Sequence, residues 1–448
     1  MLRSSGTYIP MTTIAPTAGN PSGIELSAQT TVTTAANALP AVGIVDLDSS
    51  LTAGFKPAAS LVTPRGLHTA TLLDDGRVLV VGGLTDNQGF VAQSEILDGG
   101  VWTQLSDPAL GGNPGGFMVG AGGPNGAFAT VRFGHTATKL ATGEVLIVGG
   151  FGIDSFDQNG NAVQGQLASA YLFDPQTNTF AATTGGLAVA RSDHYATLLP
   201  NGQVLITGGY NGAVNQGAGS TLPVAELYDP FQRTFTPLSQ TGQDMTIPRQ
   251  AGSATAINGK VLYVGGQAFV ATQQNPTPTL YMAPDSESFD PATGAFAADG
   301  ALTQNRRYHG VAVAASGDLF VLGGDSGNAP LASVERYDAT SGTFTAVGNL
   351  GAPRARTQAA PLRNDVLVVG GIEVDYQNQQ VSDVPSGELY NTVGNVTETY
   401  VLQAPRNSHQ VVALPDGRVL VIGGYTGSTT LLGTTGTAVG ACEAFVIP

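Results

Sequence analysis

The stretch His68–Gly83, HTATLLDDGRVLVVGG, returns along this chain with its parts in a fixed order. HTATLL alternates with the period of two that a strand requires, DDGR supplies turn residues, and VLVV reads as a second strand of β-branched residues. The closing pair of glycines suits a backbone that leaves the strand in a conformation closed to residues with a Cβ, or one packed too closely for a side chain. Equivalent units begin at His135, His194, His309 and His409, and two looser copies place Gly252 and Thr357 in the histidine register. Seven hairpins of one pattern make this a repeat protein, so the period rather than the length of 448 residues sets the domain count.

Each copy opens at an arginine, Arg65, Arg132, Arg191, Arg249, Arg306, Arg354 and Arg406, with a mean spacing of about 57 residues. After each double glycine comes a loop of variable length and then a third strand of the type VAELYDP, found again as SEILDG, ASAYLFDP, SESFDP, SVERYDA and SGELYNT. A short turn leads to a fourth strand with an aromatic: Trp102, Phe180, Phe235, Phe296, Phe344 and Tyr400. Four antiparallel strands then form one blade.

This order of double glycine, third-strand tyrosine and fourth-strand aromatic resembles the kelch repeat over roughly residues 65–448, with Phe where the family usually has Trp except at Trp102. The resemblance implies an all-β fold, a seven-bladed kelch-type β-propeller around a central channel. The last copy stops at Pro448 after its third strand, and LTAGFKP at Leu51–Pro57 matches the missing fourth strand, which predicts ring closure by an N-terminal outer strand. GIVDLD at Gly43–Asp48 then reads as a surplus strand, on the edge of the last blade or paired with another subunit. The domain reading is therefore an extended Thr/Ala/Pro-rich arm over 1–40 and a propeller over 41–448.

Composition bounds the partners. A net charge of −15, with only three lysines and seven of fifteen arginines at one repeat position, argues against nucleic acid. No run approaches the roughly 18 apolar residues of a membrane span, and no apolar segment of a signal peptide follows Arg3. One cysteine, Cys442, rules out an internal disulfide and any multi-cysteine metal site. The arm, with Arg3 and Glu25 as its only charges, buries too little apolar surface to order alone and is expected to lie on its own propeller or on a partner.

The turns between strands one and two, and three and four, are short and share one face. The long insertions fall on the other, and binding loops are expected there. Candidate recognition residues are Tyr210, Asn211, Gln267, Phe269, Tyr281 and Tyr376. The five histidines His68, His135, His194, His309 and His409 stand three residues after Arg65, Arg132, Arg191, Arg306 and Arg406, and read as framework donors and acceptors between blades. Asp154, Asp157, Asn159 and Asn161 put oxygen donors suited to calcium in one loop, with turn formation as the competing explanation.

The resemblance also brings in copper-radical oxidases of the galactose oxidase type. RRYHG at Arg306–Gly310 is similar to the Tyr-His pair that supplies two copper ligands there. That family further uses a cysteine cross-linked to a second tyrosine and another histidine. Here Cys442 falls in a third strand at the chain end, His309 is accounted for by the repeat, and Tyr308 reads as a packed aromatic. The Ser-x-Asp-x-Gly-x-x-Trp boxes of sialidase propellers are absent. The expectation is no catalytic residue and no cofactor apart from calcium, in a binding or structural module of an extracellular, cell-surface or virion assembly of bacterial or phage type. Its partner is a protein or a second copy met through the arm, or a glycan. The alternative is a secreted carbohydrate-binding protein or copper oxidase.

Overall fold

The computed structural model describes residues 52–105, 119–123, 126–212, 221–238, 243–270, 279–283, 285–428 and 436–447. Among these, seven sheets have four antiparallel strands each. Blade 1 holds Thr69–Leu72, Val78–Val81, Glu95–Asp98 and Val101–Gln104, each paired to the next. Blades 2 to 6 repeat this order along the chain. In blade 7, Gln410–Ala413, Val419–Ile422 and Cys442–Val446 are completed by Gly54–Ala58, with Phe55 opposite Phe445. The closing strand thus starts three residues later than the sequence pattern suggested. The surplus strand Gly43–Asp48 and the arm lie outside the described residues.

Burial explains why the second strands are continuous apolar runs. VLVV, VLIV, VLIT, LFVL and VLVI are buried at every position, because both faces of each blade are covered by neighbouring blades. The core is accordingly a set of seven clusters between blades rather than one centre. One packs blade 1 on blade 2 through Leu79, Val145 and Phe173, and the last packs blade 7 on blade 1 through Leu420, Ala444, Val78 and Trp102. The intervening five join each successive pair, so the clusters close into a ring. The Asp ending the third strand of blades 2 to 5 also has a local cause. Asp174, Asp229, Asp290 and Asp338 each accept a hydrogen bond at Oδ1 from the backbone N–H two residues on, which closes the turn to the outer strand.

The two kinds of long connection emerge together. The residue after each blade arginine bridges to the residue after the double glycine, as in Gly66 to Leu84, Ser192 to Tyr210, Gln250 to Gln267 and Arg307 to Asp325. Hairpins rise from these starting points: Phe151–Phe156 with Ala162–Gln166, Gln267–Val270 with Thr279–Met282, and Ile372–Asp375 with Gln380–Asp383. They make one face of the ring loop-rich.

Candidate functional site

The site is best built outward from the blade arginines, all seven of which are fully buried. Each guanidinium donates to the carbonyl of the first glycine of its own pair, as Arg65 does to Gly82 at 3.1 Å and Arg306 to Gly323 at 2.8 Å. Its other arm meets a third-strand glutamate: Arg65–Glu95 2.6 Å, Arg191–Glu226 2.7 Å, Arg306–Glu335 2.5 Å, Arg406–Glu443 2.5 Å, Arg354–Glu388, and a longer Arg249–Glu287 at 3.9 Å. The glutamate also accepts backbone N–H groups from the linker entering the blade, as Glu95 does from Val62 and Thr63. A buried ion pair is tolerable only when its remaining valences are filled in this way. Blade 2 departs: Tyr171 takes the glutamate position, Arg132 lies 5.1 Å from its ring centroid, and the guanidinium bonds Ser169 Oγ instead.

Three residues on, the histidine reaches the preceding blade. His135 Nε2 lies 3.0 Å from Thr69 Oγ1, His194 Nε2 2.9 Å from Thr136 Oγ1, and His309 Nε2 3.0 Å from Ser253 Oγ. The double glycine is the socket. A Cβ at Gly82, where φ is +63°, would lie 2.8 Å from His135 Cε1, and one at Gly83 would meet the blade's own His68 Cβ at 3.0 Å. Blades 6 and 7 carry Gln358 and Gln410 where blades 1, 2 and 4 have Thr or Ser, and the ring nitrogens of His409 and His68 have no hydrogen-bond partner among the described residues. Burial, reinforced by the blade arginine, pushes His68, His194 and His309 down to about 3, and His135 and His409 in the same direction.

Between arginine and histidine sits the position that faces the axis. Leu67, Gly134, Asp193, Ala251, Tyr308, Arg356 and Ser408 all lie in the left-handed region, with φ between +51° and +61°. That conformation costs a non-glycine residue about 1–2 kcal/mol, so something must hold it. Backbone bonds from blade to blade do so: Leu67 N–H to Ser408 O at 3.0 Å, Asp193 to Gly134 at 2.8 Å, Tyr308 to Ala251 at 2.7 Å and Arg356 to Tyr308 at 2.8 Å. The framework is constant, yet the seven side chains on this ring differ in size and charge.

Six of the seven line a cavity of about 910 Å³ that opens among the loops. One wall is apolar, with Phe90, Phe133 and Phe151 in successive ring contacts at 6.0 and 5.6 Å. Opposite in character is Tyr308, with Arg356 Cζ 4.2 Å and Arg307 Cζ 5.4 Å from its ring centroid. Arg307 is anchored by Asp325 at 3.0 Å, and Tyr376 donates to the same carboxylate at 2.6 Å. Burial first, then Asp325, raises the Tyr376 hydroxyl to about 12. Asp193 presents surface to the cavity while protein surrounds it, and burial raises its carboxyl, with the Ser192 hydroxyl and the Arg356 charge working the other way.

The recognition residues read from the sequence divide into two groups. Tyr210, Gln267 and Phe269 line the cavity, and Tyr281 is exposed on its hairpin. Asn211 is buried, its amide donating to Ala190 O at 2.5 Å, and Tyr376 serves the Arg307–Asp325 pair, so both hold the loops in place. Tyr308 is half-buried and lines the cavity, where the sequence suggested plain packing. Of the four oxygen-bearing residues in one hairpin, Asp157 spends its carboxylate on the Asn159 and Asn161 N–H groups, both at 2.8 Å, and on the Asn161 amide at 3.0 Å. Asp154 sits at the bulge between Ile153 and Ser155, its charge felt by Arg132.

The kelch-type copper site can be tested on the same geometry. His309 faces Ser253 and the Gly265 socket, and Tyr308 is flanked by two guanidiniums that disfavour a divalent cation beside it. Cys442 is buried with Trp102 and Leu61 between blades 7 and 1. This donor set does not fit a copper-radical centre.

Comparison with known proteins agrees on architecture. A Kelch motif model matches residues 306–351, the whole of blade 5. No curated protein matches the chain by sequence. Solved structures match in 889 chains, so the fold by itself selects no function. Among them is a novel fungal alcohol oxidase with catalytic diversity among the AA5 family, in complex with copper. It superposes with a TM-score of 0.61 at 14% identity, over 89% of this chain and 77% of that one, a likeness of fold.

Proposed function

We propose that this chain, a β-propeller whose residues 306–351 match a Kelch motif, is a non-catalytic binding module of an extracellular or particle-associated assembly. Its loop-rich face, with the axial cavity at the centre, is the recognition surface, and the N-terminal arm or the surplus strand links it to its neighbours. One observation carries the non-catalytic reading: His309, the histidine beside Tyr308, is turned into the blade interface like its equivalents in blades 2 and 3. The ring that does face the axis varies from blade to blade on an invariant backbone, as binding surfaces do when a rigid scaffold carries them. The exposed Leu280 and Tyr281 extend that surface towards a protein partner.

Two measurements test this. Copper-loaded protein incubated with a galactose-like primary alcohol is expected to release no peroxide above the copper blank, and sustained turnover would replace the proposal with an oxidase. Removal of residues 1–40 is expected to leave a folded propeller that no longer assembles. An oligomer unchanged by light scattering would count against the arm.

A further inference from the structure

We infer that the Asp193 sector of the axial cavity is a binding site for an alkylammonium group with an apolar arm. The inference rests on the loop face being a recognition surface and adds what that surface recognises.

Among the described residues that line the cavity, Asp193 is the one carboxylate. Its ring neighbours are Gly134 and Ala251, the two smallest side chains of the seven. A Cβ at position 134 would stand 3.0 Å from Asp193 Oδ1, so glycine there leaves that oxygen uncovered. The other oxygen, Oδ2, accepts the Ser192 hydroxyl at 3.0 Å, and the backbone is pinned to Gly134 O at 2.8 Å. The carboxylate is therefore held in place with one face directed to the cavity. Phe133, Phe151, Tyr195 and Tyr210 line the same cavity, and an ammonium over aromatic faces beside a carboxylate is favoured on both counts. Asp193 is exposed within the cavity, where a cation can reach it, and a net charge of −15 draws cations to the molecule. The Arg356 charge helps keep Asp193 ionised, and the ammonium can belong to a free amine or to an amino acid.

Titration calorimetry of the full chain with four matched probes tests this: 2-phenylethylamine, L-phenylalanine, 2-phenylethanol and 3-phenylpropionate. The amine or the amino acid is expected to bind about tenfold or more tightly than the alcohol and the acid. Preference between the first two identifies the source, a simple amine or a zwitterion. Asp193→Asn keeps the left-handed backbone, which asparagine adopts readily, and keeps the Ser192 bond. It is expected to abolish the preference while circular dichroism stays unchanged. Equal binding of amine and alcohol, or undiminished preference in the variant, overturns the ammonium assignment and leaves the cavity a binding site. Silence from all four probes also overturns it, and the loop-face reading is then judged by its own assembly and peroxide measurements.

Discussion

Acidification to pH 5 should unfold this protein, and the histidine framework sets the scale. All five imidazoles are buried against double-glycine sockets next to blade arginines, and their folded values lie far below the ordinary 6.5. The unfolded chain then binds more protons than the folded one, so stability is complete above about 6.5 and falls as the pH drops from there towards 3. At pH 5 each histidine that must stay neutral withholds about 2 kcal/mol, from about 1.4 kcal/mol per unit over about 1.5 units. Five of them withhold on the order of 10 kcal/mol, comparable to the roughly 5–15 kcal/mol that holds a folded protein together. Asp193 acts with the opposite sign, its raised carboxyl favouring the folded state as pH falls, but it is one group against five. Urea midpoints followed by circular dichroism at pH 7.5, 6.5, 5.5 and 5.0 give the slope directly. His194→Gln should shallow that slope by close to one proton. A profile flat from pH 7.5 to 5.0, or an unchanged slope in the variant, would refute the reasoning.

Three further outcomes follow from the framework. Glu226→Ala strands Arg191 and the Ala188 N–H without their buried acceptor and should cost about 3–5 kcal/mol by urea denaturation. Gly82→Ala drives a Cβ into the Arg132 carbonyl and the His135 ring, whereas Gly99→Ala, at φ +55° with nothing within 4 Å, meets only the backbone penalty of about 1–2 kcal/mol; the first should melt well below the second. Phe55→Ala removes an edge-on ring contact to Phe445 at 4.9 Å and should cost about 3–5 kcal/mol, read as faster proteolysis at the chain's two ends.

Much of the architecture was legible because strand period, turn chemistry and paired glycines are local signals. Even the closing strand at Phe55 could be found, since an incomplete last copy must be finished from somewhere. The glutamate clamps were harder. Glu95, Glu226, Glu287, Glu335, Glu388 and Glu443 stand in register in the third strands, but each is some thirty residues from its arginine, and repeat alignment says nothing about which columns touch. Long loops mark Asn211 and Tyr376 as recognition residues in the sequence; the start of each loop is bridged to the strand that enters the blade, and that draws their polar side chains into hydrogen bonds with the framework.

The axial ring shows why variation can be as informative as repetition. Between arginine and histidine the chain reads RGLH, RFGH, RSDH, RQAG, RRYH, RART and RNSH, and no residue type marks the third place. Its shared feature is a positive φ, a conformation imposed by inter-blade backbone bonds and by the anchored residues on either side rather than by the side chain. A position whose geometry is fixed by its neighbours is free to change chemistry at a cost of about 1–2 kcal/mol per residue. In this fold the repeated arginines and glutamates are buried within and between the blades while the unrepeated ring positions vary, so the same framework that closes the ring presents six differing positions to whatever enters the cavity.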